Sequence, residues 1–125
     1  MRLLPTLSLL LGLSACLGAA RAEGIRVLIQ NSPLAGSQYY AVGEQWESLQ
    51  VGDRLELIRE PDNRHDRHAI RVEWHGRQLG YVPRAGNRAL AAALDAGDRL
   101  VGRIAALSRH PDPWRRVRFE VFVEL

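Results

Sequence analysis

The segment REPDNRHDRHAIRV, residues 59–72, concentrates side chains that can bind a metal ion, carry a proton or pair with a phosphate. His65, Asp66 and His68 lie within four positions, and all three are possible metal ligands. Structural zinc sites draw four ligands from two spaced pairs, and catalytic zinc sites use three ligands and an open position. No second cluster accompanies these three residues, so the sequence predicts a polar loop and no metal site, with a zinc-binding protein kept as an alternative.

Signatures of enzymes are missing from the rest of the chain. The sequence contains no Gly-x-Ser-x-Gly motif and no phosphate-binding glycine loop, and its single cysteine, Cys16, lies in the hydrophobic N-terminal segment. Its carboxylates are scattered, so their spacing does not indicate an acid–base pair. The sequence therefore predicts no enzyme and no cofactor, and a hydrolase remains only as an alternative.

The remaining residues that could bind a ligand are aromatic residues and arginines, which are interleaved along the sequence. Rings that stack on bases and guanidinium groups that meet phosphates are typical of barrels that bind single-stranded nucleic acid. The competing interpretation is that the rings belong to the core and that the charged residues form a solvated face. The residues concerned are Tyr39, Tyr40, Trp74, Tyr81, Trp114, Arg59, Arg64, Arg67, Arg71, Arg84 and Arg88.

The strongest local structural signal is a tight β-hairpin. Apolar residues alternate in HAIRVEW and in RQLGYV, and His75-Gly76 between them suits a two-residue turn. Pro83 should end the second strand, and Asn87 is predicted to cap the helix RALAAALDA, which Gly97 follows.

Four further segments predict strands, namely IRVLIQ, GDRLELI, GDRLVGRIAALSR and WRRVRFEVFVEL. Tyr39 and Tyr40 are predicted in an extended segment, one facing the core and the other exposed, and EQWESL is predicted to form a helical turn. The pattern favours a mainly β fold, a small and strongly curved antiparallel barrel or sandwich of about six strands with one to two short helices. The predicted core residues are Leu57, Ile70, Val72, Leu79, Leu94, Phe119 and Val121.

Residues 1–22 are predicted to be a secretory signal peptide. One basic residue precedes an apolar run, and Ala20-Arg21-Ala22 fits a cleavage site. The alternative is a lipoprotein signal, residues 1–15, with a lipidated Cys16 as the new N-terminus. The expected location is the periplasm or the extracellular space, or a lipid anchor in the alternative case, with no transmembrane span in the mature chain.

Cleavage would leave residues 23–125 as one domain with little net charge. All 17 basic residues are arginine; Arg2 and Arg21 would be removed, which leaves 15 arginines against 14 acidic residues. A net charge near +1 is not evidence for a polyanionic partner, so the positions of the arginines matter more than their number.

The order of the residues carries a more specific signal. The stretches GSQYY, LQVGDRLELIREPDNRHDRHAIRVEW and GRQLGYVPRAGNRALAAALDAG resemble the HIRAN domain, from about Gly36 to Gly97. This resemblance implies an OB-like β-barrel with two helices, and a nucleic-acid-binding module that holds the 3′ end of single-stranded DNA. The binding residues that it implies are Tyr39, Asn63, His65, Asp66, Tyr81 and Arg84.

The resemblance also implies a role for several of these residues. Tyr39 would stack on a base, Asp66 would accept a hydrogen bond from the terminal 3′-hydroxyl, and Arg84 would pair with a phosphate. His65 stands where the DNA-binding members have an aromatic residue, and Gln38 stands where they have a basic one. The competing interpretation is that Asn63 and Asp66 only bond the backbone of their own loop.

Two classes of partner therefore remain open, and in both the protein is expected to be a monomer. The first is single-stranded DNA, bound outside the cytoplasm by the 3′ end. The second is a protein of the cell envelope, bound by a barrel whose pocket has been repurposed.

Overall fold

A computed structural model describes residues 24–125, which fold into one six-stranded antiparallel sheet and two α-helices. The predicted signal peptide and Cys16 lie outside the described residues. Within residues 24–125, no helix is long and apolar enough to cross a bilayer. The elements are β1 (Arg26–Pro33), α1 (Val42–Gln45), β2 (Arg54–Arg59), β3 (Ile70–Trp74), β4 (Arg77–Tyr81), α2 (Arg84–Asp95), β5 (Arg99–Leu107) and β6 (Val117–Glu124).

Three 3₁₀ turns complete the connections, at Ser37–Tyr39, Trp46–Ser48 and Pro113–Arg115. The strand order is β1-β6-β5-β2-β3-β4, so the first strand pairs with the last. The predicted mainly β class with about six strands and one to two short helices is confirmed.

The two ends of the sheet approach each other beyond the last residue of β1. Ala35 and Tyr81 form an antiparallel bridge in which each backbone N–H donates to the other residue's carbonyl, both at 2.9 Å. Gly80 permits this approach, because a Cβ at that position would lie 2.4 Å from the Ala35 carbonyl oxygen. The sheet therefore curls into a barrel-like shape that is joined at one point.

Alternation along the strands places the core inside this curl. Ile70, Val72 and Trp74 of β3 are buried, as are Val117, Phe119 and Val121 of β6. Six of the seven predicted core residues are buried; the exception, Leu94, is half-buried and packs against the edge of the core. The β3–β4 hairpin forms as predicted, because His75 and Gly76 both adopt the positive φ angles, 45° and 75°, of a type I′ turn.

Two local predictions were wrong. Helix α2 begins at Arg84, directly after Pro83, so Asn87 lies within its first turn and does not cap it. Tyr39 ends a 3₁₀ turn instead of lying in a strand, and both tyrosines are exposed, because the chain reverses at Gly36 with a φ of 71°. The end of α2 was predicted correctly: Gly97 and Asp98 donate to the carbonyls of Leu94 and Ala93, closing a Schellman motif.

Candidate functional site

A cleft of about 890 Å³ opens beside the point where the two sheet ends meet. Its walls are the end of β1 with the following turn, the loop between β2 and β3, the start of α2, and the 3₁₀ turn before β6. All six residues predicted to bind nucleic acid line this cleft: Tyr39, Asn63, His65, Asp66, Tyr81 and Arg84. The fold therefore brings together residues that lie up to 45 positions apart in the sequence.

The loop between β2 and β3 is shaped by its own side chains. The Asn63 side-chain oxygen accepts hydrogen bonds from the backbone N–H groups of His65 and Asp66, at 2.9 and 3.1 Å. Asp66 Oδ1 in turn accepts from the backbone of His68 at 2.9 Å. Both side chains thus bond the backbone of their own loop, and for Asn63 these bonds occupy the amide oxygen.

Glu60 ties this loop to β4 from behind the cleft. Its Oε1 accepts from the Asn63 side chain at 2.9 Å and from the Tyr81 hydroxyl at 2.8 Å, and its Oε2 accepts from Arg71 at 2.8 Å. Burial would raise the pKa of Glu60, but these hydrogen bonds outweigh it and the pKa is lowered. Burial and the bond to Glu60 raise the pKa of Tyr81 to about 12, so the phenol keeps its proton and donates it to Glu60.

Asp66 joins the loop to the first turn of α2. Its Oδ2 accepts from the side chain of Asn87 at 2.7 Å and lies 3.8 Å from Nε of Arg84. Burial would raise the pKa of Asp66, yet the bonds from His68 and Asn87 and the charge of Arg84 lower it. The carboxylate is therefore charged at neutral pH, and it has acceptor capacity beyond its two hydrogen bonds.

Arg84 is the arginine best placed to meet an anion in the cleft. Its side chain is 72% exposed, and it donates to the backbone carbonyl of His65 at 2.9 Å. Arg59 and Arg71, by contrast, are engaged with Asp95 and with two glutamates. Arg84 also occupies the first turn of α2, where the helix dipole favours negative charge.

Aromatic rings flank the charged groups. Tyr39 is 78% exposed at the rim of the cleft, and Tyr40 packs edge-on against Tyr81 with ring centroids 5.8 Å apart. Trp114 is 51% exposed and also lines the cleft. Trp74 belongs to the core instead, where its indole N–H donates to Asp53 at 3.0 Å.

Trp114 is the main residue that the predicted site did not include. The signal for it was present, because a tryptophan in the polar loop HPDPW has few local partners to bury it. Its turn is fixed by Asp112, which accepts from the Trp114 backbone at 3.0 Å, and by Ser37, which donates to the Pro113 carbonyl at 3.3 Å. This last bond connects the turn carrying Trp114 to the turn carrying Tyr39.

The cleft thus combines exposed rings, one exposed guanidinium group and one charged carboxylate. Such a set suits a ligand with a flat ring, an anionic group and a hydroxyl donor. In the part of the chain that the structure describes, no three or more histidine, cysteine or acidic residues are arranged around a common point.

Comparisons with known proteins agree with this architecture. A family model described as "HIRAN domain" matches residues 27–125. A crystal structure of a Lactobacillus plantarum protein is similar, with a TM-score of 0.70 and 27% identity over 81% of this chain and 98% of that chain. The crystal structure of the HIRAN domain of human HLTF has a TM-score of 0.59 and 22% identity over 81% of this chain and 80% of that chain. No curated protein sequence matches at a significant level.

Proposed function

Because this chain belongs to the HIRAN domain family, whose members are generally DNA-binding modules, we propose that its cleft binds the 3′ end of single-stranded DNA. One observation carries the proposal. The exposed rings of Tyr39 and Trp114 converge on the same cleft as the Asp66 carboxylate and the Arg84 guanidinium group. A strand end offers a matching set of groups, namely a base, a phosphate and a hydroxyl.

Each of these side chains has a distinct part in the proposed complex. Tyr39 stacks on a base, and Trp114 offers a second ring to the neighbouring base or sugar. Arg84 pairs with a phosphate, where a planar guanidinium group can donate two hydrogen bonds. The charged Asp66 accepts a hydrogen bond from the 3′-hydroxyl, whereas a 3′-phosphate has no comparable donor and is repelled.

The preference for a free 3′-hydroxyl is the most direct test. Fluorescence titration at low salt should show tighter binding of a 3′-hydroxyl oligonucleotide than of its 3′-phosphate form. Asp66→Asn should remove the preference, and since hydrogen bonds to charged groups contribute about 1.5–3 kcal/mol, the affinity for the hydroxyl form should fall roughly ten- to hundredfold.

Asp62 provides a matched control in the same loop. It is exposed and does not line the cleft, so Asp62→Asn removes the same charge without touching the proposed contact. Equal binding of the two oligonucleotides by the wild type, or an equal effect of the two substitutions, would contradict the proposal.

A second candidate function rests on the exposed edge of β1. Ile25, Val27, Leu28 and Ile29 are all exposed large apolar side chains, and within the described residues β1 has a strand neighbour, β6, along only one side. Such an edge can take up an extended segment of another protein as an added strand. A protein of the cell envelope is the corresponding partner, and loss of its binding in Leu28→Arg, with DNA binding intact, would favour this function.

The proposed location is outside the cytoplasm. Intact-mass measurement of the processed protein distinguishes its forms: a chain that starts at Glu23 supports a soluble exported protein, and a lipidated Cys16 supports an anchor. A protein that retains Met1 would contradict both.

A further inference from the structure

A second concavity, of about 280 Å³, lies on the outer face of the sheet. Val101 and Phe122 form its floor, and Arg26, Arg54 and Arg103 stand around it. This concavity shares no lining residue with the cleft described above. Each of these three guanidinium groups lies within 3.5 Å of a glutamate, and each keeps further N–H donors that can meet a ligand with negative charge.

The most unusual feature of this face is a pair of like charges. Arg54 of β2 lies directly opposite Arg103 of β5 in the antiparallel register. Like charges in that position repel and destabilise a sheet, so an anion between them would relieve the repulsion. Their side chains are 59% and 50% exposed, and so both groups are accessible to a ligand.

Arg54 and Arg103 each contact one glutamate, and most of their N–H donors remain available to a ligand. The Nε atom of Arg54 lies 2.9 Å from Glu56, and a terminal nitrogen of Arg103 lies 3.5 Å from Glu120. Each guanidinium group has five N–H donors and uses one of them in these contacts. Arg103 also lies over the Phe122 ring at 4.9 Å, which holds its position on the face.

Arg118 and Arg103, with Glu120 between them, connect this face with the cleft. Asn31 lines the cleft, and its side-chain oxygen accepts two hydrogen bonds from Arg118, at 3.1 and 2.7 Å. Arg118 lies two residues along β6 from Glu120, the register partner of Arg103. With about 3.3 Å per residue and 4.8 Å between strands, the backbones of Arg118 and Arg103 are about 8 Å apart, and Arg54 lies one strand further.

We propose that Arg118, Arg103 and Arg54, here called the arginine face, bind the phosphodiester backbone of the same DNA strand whose end occupies the cleft. The inference rests on the proposed function of the cleft and extends its site by several nucleotides. Binding there depends on phosphates and carries no base preference. A site of this extent agrees with the roughly 4–16 nucleotides that single barrels of the OB type hold.

Oligonucleotide length provides the test. Thymidine oligonucleotides of three and of twelve residues, both with a free 3′-hydroxyl, are titrated against the full chain and against the double variant Arg54→Gln/Arg103→Gln. The twelve-residue strand should bind the wild type at least about tenfold more tightly than the three-residue strand. The double variant should lose this gain while its affinity for the three-residue strand stays unchanged.

The salt dependence gives a second readout of the same contacts. The slope of log K against log salt for the longer strand should be smaller by roughly 1.4 in the double variant, since each lost phosphate contact on a single strand removes about 0.7. Arg77→Gln/Arg109→Gln is the matched control. Both of its arginines are exposed, face glutamates elsewhere on the surface, and line neither concavity.

The outcomes separate the two proposals. Length dependence that is equal in the wild type and the double variant overturns the arginine face and leaves the cleft intact. So does an equal loss in the control variant, which would reflect net charge alone. If neither strand binds the wild type, the proposed function fails and the arginine face fails with it.

Discussion

Replacing Gly80 by alanine should separate the two ends of the sheet. The new Cβ would lie 2.4 Å from the carbonyl oxygen of Ala35 and 2.9 Å from Cγ of Leu34. The first of these atoms belongs to the backbone, and the second to a side chain that is almost fully buried. Neither can move aside alone, so the segment after β1 must move away from β4.

The expected cost follows from the contacts that this movement breaks. The bridge between Ala35 and Tyr81 contains two backbone hydrogen bonds, and each contributes about 0.5–1.5 kcal/mol net. Overpacking in a core costs typically 1–3 kcal/mol. A loss of about 2–6 kcal/mol is therefore expected, which should lower the Tm by at least about 8 °C in a domain of this size.

Urea denaturation followed by tryptophan fluorescence measures this loss, with Gly43→Ala as the matched control. Gly43 lies exposed in α1, and a Cβ there would meet no atom within 4 Å. Alanine in a helix is more stable than glycine by roughly 0.5–1 kcal/mol, so the control should be neutral or slightly stabilised. If Gly80→Ala and Gly43→Ala unfold at the same urea concentration, the proposed role of the bridge is wrong.

Three further predictions concern single side chains. Tyr39→Ala should leave the Tm unchanged, since the ring is exposed. It should cost about 1–3 kcal/mol of binding free energy in a titration with single-stranded DNA. A lower Tm with unchanged binding would show that the ring stabilises the fold and does not bind DNA. Ile70→Ala should destabilise by about 2–5 kcal/mol in urea denaturation, and an unchanged midpoint would contradict the strand register. Glu60 and Asp66 have pKa values below their ordinary 4.5 and 3.8, so their stabilising contribution is present above those values and is lost as the pH falls through the lowered ones. Asp66→Asn should therefore flatten the decline in unfolding free energy below about pH 4, and an identical decline in wild type and variant would argue against it.

Much of the fold could be predicted because its signals are local. The β3–β4 hairpin follows from alternating apolar residues and a two-residue turn that contains Gly76, and all of these lie within about a dozen positions. The failure at Asn87 concerns a residue whose side-chain partner lies far away in the sequence. Asn87 looked like a helix cap, but its side chain is used by Asp66 in the loop before β3.

The residues that line the candidate site were predicted, but the contacts that hold them in place were not. The order of residues from Gly36 to Gly97 identified the six lining side chains through a family resemblance. Glu60 was not predicted, because its three partners lie 3, 11 and 21 residues away and no local pattern connects them. Trp114 lies beyond the residues 36–97 that carried the resemblance, and only the fold brings its turn beside Tyr39.

The pairing of the first strand with the last constrains how the chain can reach its native state. Arg26 is opposite Glu124, and the Leu125 N–H donates to the Ile25 carbonyl at 2.8 Å. A chain that emerges from the ribosome cannot form this pairing until β6 has been synthesised, and contacts so distant in sequence slow folding through the entropy of loop closure. The apolar strand β1 therefore stays unpaired until β6 has been synthesised. During that interval its exposed backbone and apolar side chains make the nascent chain more prone to aggregation than the finished protein.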